Sequence, residues 1–264
     1  MYVLELVCRP EAADLISAEL WDAGTIAIRE IDRHDRVALI AGFESNEHRA
    51  ELLDRLAEFS PKWQAADVVD WVAVTRNSWR TRSIGEKLFL APVWSEEPTP
   101  PGRLRLIHNP GLACGTGEHP CTQLALTALE KVVAPGCRLV DIGTGSGILA
   151  IAGLRLGAKQ AIGIDTDCAA LKAARENLEL NGLAAQLVCG SAGCIGTEWA
   201  DATVANISGT VLLAIWDELL RITRRPGRLL ITGFPVEEAQ AFQSLLPESQ
   251  ITTTGGWACL SASI

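Results

Sequence analysis

Leu139-Val140-Asp141-Ile142-Gly143-Thr144-Gly145-Ser146-Gly147-Ile148-Leu149 is an apolar strand that runs into three alternate glycines and then into an apolar helix. Glycine leaves no Cβ between a ligand and the backbone, and it admits the left-handed conformations that a tight strand-to-helix loop requires. In an open parallel sheet the ligand crevice lies beyond the carboxyl ends of the strands, and the first such loop is its floor. A dinucleotide fingerprint has glycines at the first, third and sixth places, whereas here they stand at the first, third and fifth, with Ile148 at the sixth. Hydride transfer loses support. A tight turn with no ligand is the bland alternative, and three alternate glycines after an apolar strand weigh against it.

Downstream, apolar strands and amphipathic helices alternate as in a parallel sheet with crossovers. The pattern predicts strand 138–142, helix 147–157, strand 160–165, helix 167–181, strands 185–190 and 202–207, helix 209–224, strand 227–233 and helix 236–246. Ser249–Thr254 and Trp257–Ile264 flank Gly255-Gly256 and read as an antiparallel hairpin closing the sheet. The second strand ends in Ile162-Gly163-Ile164-Asp165, twenty-two residues after Gly143. A carboxylate at that strand end accepts both hydroxyls of a ribose. The competing reading is that Asp165 caps the next helix.

Upstream, the first seventy residues follow a β-α-β-β-α-β rhythm. Tyr2–Cys8 alternates as a strand, and Pro10–Ala23 sets Ala13, Ile16, Leu20 and Ala23 at helical spacing before Gly24. Thr25–Ile31 and Val37–Phe43 flank a charged turn, Asn46–Phe59 forms a second helix, and Val68, Val69, Trp71, Val72 and Val74 supply a last strand. The unit is a ferredoxin-like α+β domain over 1–74. Residues 75–102, with Pro92, Pro98, Pro100 and Pro101, read as a linker, and 103–264 as the sheet domain.

The composition bounds the functions available. Of 264 residues 48% are apolar, and 23 basic side chains face 32 acidic ones for a net charge of -9. This is a globular chain with no uncharged apolar run of about 18 residues and no secretory leader pattern, so a cytoplasmic protein without a membrane anchor is expected. The acidic balance argues against gripping a nucleic-acid backbone and suits a basic protein partner. The eight cysteines show no zinc or redox spacing, which predicts buried free thiols and no metal site.

Asp141 two places ahead of Gly143, Gly145 and Gly147 resembles the first motif of S-adenosylmethionine-dependent methyltransferases. An earlier segment makes the likeness specific: Pro110-Gly111-Leu112-Ala113-Cys114-Gly115-Thr116-Gly117-Glu118-His119-Pro120-Cys121-Thr122 resembles the P-G-x-A-F-G-T-G-x-H-x-T-T signature of the PrmA family, which methylates ribosomal protein L-eleven. Residues 141–152, 163–167, V-A-N-I at 204–207, T-G-F at 232–234 and Trp257 agree with that family, as do Asp70-Trp71 and Ile84–Leu88 with Pro92 and Trp94. The resemblance implies a Rossmann-like class I methyltransferase, with a mostly parallel seven-stranded sheet, behind an N-terminal substrate-recognition domain. It implies S-adenosylmethionine as cofactor, S-adenosylhomocysteine as product and amino groups of ribosomal protein L-eleven as substrate; a monomer is the expected state.

Thr122, Gly143, Asp165 and Asn206 are the cofactor contacts the resemblance implies, with Asp141, Gly145 and Gly147 completing the loop. Asn206, at a strand end, accepts from an amine through its carboxamide oxygen and donates through its NH₂. It is the candidate for orienting the substrate amine, and Glu118 or solvent for taking its proton. With no family in view, Thr122 reads as a helix cap, Asn206 as a turn residue and His119 as a hydrogen-bonded loop residue. The chain departs from the family at Cys114, where Phe is usual, and at Thr75, where a second tryptophan is usual. Cys114 keeps two alternatives open: the same fold acting on another protein or a small amine, and a cofactor-binding module without turnover.

Overall fold

The computed structural model describes residues 2–25, 27–33, 35–47, 49–65, 79–109 and 117–264, and divides into two compact units, Met1–Trp79 and Arg80–Ile264. In the first unit, alternation along Tyr2–Cys8 (β1) turns Leu4, Leu6 and Cys8 inward. Helix Pro10–Asp22 (α1) adds Ala13, Ile16 and Leu20 at helical spacing, and Arg36–Phe43 (β3) adds Val37, Leu39, Ala41 and Phe43. Each fully buried aliphatic or aromatic side chain contributes roughly 1.5–3 kcal/mol to this core. Ala27–Arg33 (β2) pairs with β3, and the sheet is completed by Lys62–Ala65 (β4) in the order β2-β3-β1-β4. That antiparallel order, with helix Arg49–Arg55 (α2) between β3 and β4, is the ferredoxin-like arrangement. The strand beside β1 is thus 62–65, whereas the expected one, from Val68 to Val74, lies outside the described residues.

The second unit opens with a three-stranded sheet made of Arg82–Ile84 (β5), Leu88–Pro92 (β6) and Leu104–His108 (β7), ordered β5-β6-β7. Residues 82–92 are therefore not linker. Prolines dominate the stretch that follows, but Leu88, Phe89, Leu90 and Ala91 are all buried, and an apolar run of that kind is better placed in a sheet than in water. The β5–β6 turn is held by one carboxylate: Glu130 accepts from the backbone N–H groups of Glu86, Lys87 and Leu88 at 2.9 to 3.1 Å.

Helix Pro120–Val132 (α3) then leads into a seven-stranded sheet. Its elements are Arg138–Ile142 (β8), Ile148–Arg155 (α4), Gln160–Asp165 (β9), Ala170–Leu180 (α5), Gln186–Cys189 (β10), Ala200–Asn206 (β11), Gly209–Ala214 (α6), Trp216–Ile222 (α7), Thr223–Pro235 (β12), Ala239–Leu245 (α8), Gln250–Thr254 (β13) and Trp257–Ser263 (β14). The order β10-β9-β8-β11-β12-β14-β13 is parallel except at β14, which runs antiparallel to both neighbours as the Gly-Gly turn predicts. The α/β reading of this half holds, with two local differences. The helix expected over 209–224 breaks at Ile215, and β12 begins early because Thr223 already pairs with Ala200 before the register shifts to Arg228 opposite Ala202. Val140, Ile142, Ile162, Ile164, Leu229, Ile231 and Phe234 form the centre of the core. Among the described residues no helix is long and apolar enough to cross a membrane, and no cluster of His, Cys, Asp or Glu could hold a metal.

The expectation of buried free thiols holds for Cys8, Cys121, Cys137 and Cys259; Cys194 is free but exposed, and Cys114 lies outside the described residues. It fails for Cys168 and Cys189, which form a disulfide. Spacing along the chain hides the pair, since it arises from strand pairing: Cys189 sits opposite Asp165, and Cys168 follows three residues later, with Cα atoms 5.3 Å apart. For a sequence separation of 21, loop-closure entropy gives an expected loss on reduction of about 3 kcal/mol in unfolding free energy. Urea unfolding with and without a thiol reductant measures it.

Candidate active site

Three strand ends meet at one level. Ile142 of β8 pairs with Ile164 of β9 and with Ala205 of β11, so Gly143, Asp165 and Asn206 are the next residues of three adjacent strands. Strands lie roughly 4.8 Å apart, which sets Asp165 and Asn206 about 10 Å from each other with the glycine loop between them. The chain runs from β8 outward to β9 and β10 and then returns to β11 on the other side of β8, so the gap between β8 and β11 is the topological switch point at which open α/β sheets bind ligands.

The glycine loop is organised by carboxylates. Asp141 Oδ2 accepts from the Thr144 hydroxyl at 2.7 Å and from the Ala150 N–H at 3.1 Å, fastening the loop to the first turn of α4. Asp165 Oδ2 accepts from the Gly145 N–H at 2.8 Å and Oδ1 from the Asp167 N–H at 3.0 Å. Gly143 and Gly147 both have positive φ, 69° and 81°. A Cβ on Gly143 would collide with Ile207, and one on Gly147 would stand 3.1 Å from the Ala174 Cβ. Gly143, Gly145 and Asp165 are partly exposed, while Asp141 and Gly147 are buried. The first three are thus reachable from solvent at the strand ends, and the last two are packed beneath them.

Asp141 is fully buried, and loss of hydration pushes its carboxyl up from 3.8 to about 7, against the opposing pull of the Thr144 and Ala150 donors. The folded state keeps a proton that the unfolded chain releases near 3.8. This group therefore favours folding at acid pH, and that contribution is lost as pH rises towards about 7. Asp141→Asn is expected to remove this dependence, which in the parent chain reaches about 1.4 kcal/mol per pH unit at most. Urea unfolding at a series of pH values compares the two slopes.

On the other side of the loop, Asn206 Nδ2 donates to Thr122 Oγ1 at 3.2 Å. Thr122 lies in the first turn of α3 and is 3% exposed. The bond fixes the carboxamide's orientation and turns Oδ1 to the side away from Thr122. His119 caps α3, its Nδ1 accepting from the Cys121 N–H at 3.3 Å, and its ring meets Trp257 edge-on with centroids 4.7 Å apart. Glu118, exposed, pairs with Arg82 at 3.3 Å; partial burial pushes its carboxyl up, and the guanidinium pulls it back.

The sequence-predicted residues Gly143, Gly145, Asp165, Asn206 and Thr122 thus come together around the sheet's carboxyl edge. Glu118 stands at the start of the same helix as Thr122. Cys114 and the rest of 110–116 lie outside the described residues, as does Thr75. Two buried asparagines that no motif points to lie beside the site: Asn177 of α5 reaches the Ser146 carbonyl in the glycine loop and the backbone of Asn109, while Asn181, the C-cap just past α5, clasps the backbone of Ile107 on β7. The available signal is a pair of asparagines four apart on an otherwise amphipathic helix, where a surface residue would not need burial.

A family model described as ribosomal protein L11 methyltransferase (PrmA) matches residues 6–263. The ribosomal protein L11 methyltransferase of Synechococcus sp. (strain RCC307) is 34% identical over 273 residues, covering 96% of this chain and 85% of that protein. The protein of the same name from Pseudomonas savastanoi pv. phaseolicola is 31% identical, with 96% of each chain covered. Among solved structures, a ribosomal protein L11 methylase from Lactobacillus delbrueckii subsp. bulgaricus superimposes with a TM-score of 0.64 at 29% identity, over 69% of this chain and 97% of that one.

Proposed function

The chain belongs to the ribosomal protein L11 methyltransferase (PrmA) family, and we propose that it transfers methyl groups from S-adenosylmethionine to amino groups of ribosomal protein L11. The observation that carries the reading is the common level of Gly143, Asp165 and Asn206 at the carboxyl ends of three neighbouring strands. The residues suit the cofactor. Each Asp165 oxygen accepts one backbone N–H and retains a lone pair for a ribose hydroxyl. The glycines stand at 143, 145 and 147 with Ile148 at the sixth place, a spacing that departs from the dinucleotide fingerprint and favours a ligand carrying a sulfonium and an amino acid. When bound, S-adenosylmethionine supplies an electrophilic methyl group.

The chain's own residues supply placement. In-line displacement requires an amine held with its lone pair on one axis, and positioning of this kind provides most of the rate. Asn206, its NH₂ engaged by Thr122, presents Oδ1 to accept from the substrate amine and aim it. A lysine ammonium, with a pKa of about 10.4, must first lose a proton. Glu118 or solvent takes it, and the upward push that partial burial gives the Glu118 carboxyl makes it a better base. The N-terminal unit is the proposed reader of the protein substrate, in a monomeric enzyme that acts in the cytoplasm.

A second reading rests on Cys114, which replaces an aromatic residue of the family signature and widens the range of substrates to another protein or a small amine. Incubation with labelled S-adenosylmethionine and either the protein or the small-molecule fraction of a bacterial lysate separates the two. Label on ribosomal protein L11 is the expected result, and label confined to small molecules would overturn the substrate assignment.

A further inference from the structure

Strand β7 is an edge of its three-stranded sheet, paired with β6 on one side. The other side meets two asparagines of the α5 region. Asn181 Oδ1 accepts from the Ile107 N–H at 2.9 Å, and its Nδ2 donates to the Ile107 carbonyl at 2.6 Å. Asn177 repeats the pattern two residues on: Oδ1 accepts from the Asn109 N–H at 2.7 Å, and Nδ2 donates to the Asn109 carbonyl at 3.1 Å. The repeat has a geometric cause. Residues four apart on a helix rise about 6 Å, and residues two apart on a strand about 6.6 Å, so the two carboxamides match the spacing of the strand's outward backbone groups. The helix thereby takes the place of a missing strand at an edge that would otherwise be open.

The two asparagines differ in their third bond. Asn181 Nδ2 also donates to the Asn177 carbonyl at 2.8 Å, within the helix, whereas Asn177 Nδ2 donates to the Ser146 carbonyl at 3.0 Å, inside the glycine loop. One side chain, 1% exposed, therefore ties the cofactor loop to the last residue before the 110–122 signature.

We propose that Asn177 is a positioning residue for methyl transfer, registering the backbone at Asn109 against the glycine loop at Ser146, an inference that rests on the function proposed above. Asn181 is its internal control, because it makes the same number of side-chain hydrogen bonds and the same two-bond clasp on one residue's backbone, at Ile107 of β7 where Asn177 holds Asn109 just beyond the strand, and its third bond goes to the Asn177 carbonyl and not to the loop.

The test compares Asn177→Ala with Asn181→Ala by hydrogen exchange of the full chain and by methyl-transfer kinetics. Asn177→Ala is expected to speed exchange about tenfold in both 104–109 and 143–147, and Asn181→Ala only in 104–109. At saturating cofactor, Asn177→Ala is expected to lower kcat about tenfold and to raise the Kd for S-adenosylmethionine by a similar factor, with Asn181→Ala within about threefold of the parent chain in both. Unchanged exchange over 143–147 in Asn177→Ala, or equal loss of activity in the two variants, overturns the proposal. Should Asn177→Ala not fold, Asn177→Asp makes the same comparison, since it keeps the acceptor for the Asn109 N–H and loses both donors; there a parental kcat overturns it. If the parent chain methylates no ribosomal protein, the functional reading fails, and the exchange comparison, which needs no substrate, still decides the coupling.

Discussion

Replacing Asn206 with alanine is expected to lower methyl transfer at saturating S-adenosylmethionine by about a hundredfold, the scale on which a misplaced reactant slows an enzyme. The effect should lie in kcat, with the cofactor Kd changed by less than about tenfold, because Gly143, Gly145 and Asp165 remain. Thr122 receives the Asn206 NH₂ at 3.2 Å, and this sends the carbonyl end of the amide the other way. Alanine removes the acceptor, so the amine is no longer aimed. Asn206→Asp keeps the acceptor but brings a negative charge, which favours the ammonium over the reactive amine; its rate should recover as pH rises. Single-turnover rates measure both, and a parental rate in Asn206→Ala would remove this residue from the reaction.

Asp165→Ala should show the opposite division. Hydrogen bonds to a charged group contribute about 1.5–3 kcal/mol each, so loss of both ribose bonds is expected to weaken cofactor binding by at least about a hundredfold. The same substitution releases the Gly145 N–H, which Asp165 holds at 2.8 Å, and this adds to the loss by freeing the loop. At cofactor concentrations high enough to saturate the variant, kcat should fall far less than in Asn206→Ala. Calorimetric titration with S-adenosylhomocysteine gives the affinity directly. Undiminished binding would leave Asp165 a structural residue that holds the glycine loop at Gly145 and the turn after β9 at Asp167; it does not cap α5, whose N-cap is Ala169.

What is legible in the sequence is local and periodic. The run from Leu139 to Leu149 specifies a strand, a loop and a helix because each segment's pattern agrees with its burial, and the Gly-Gly turn specifies the antiparallel close. Asp165 and Asn206 are readable because strand ends in such sheets converge on one crevice. The features that escape depend on what the chain meets in space. Strand β6 carries a proline at its end and reads as linker from sequence, yet its burial decides its state. The 168–189 disulfide depends on a strand pairing that no spacing reveals. Asn177 and Asn181 are silent because asparagine in a helix ordinarily signals a surface, and only the unpaired side of β7 explains their burial. Gly147 illustrates a finer limit: it belongs to the motif, but its contact is Ala174 of α5, so its task is packing helix against loop.

Delivery of a methyl group from this crevice to ribosomal protein L11 is checked by intact-mass spectrometry of purified L11 after incubation with S-adenosylmethionine and the full chain. Mass increments of whole methyl groups on L11, absent when Asn206→Ala replaces the parent chain, are expected. An unmodified L11 in the presence of a chain that binds the cofactor would contradict it.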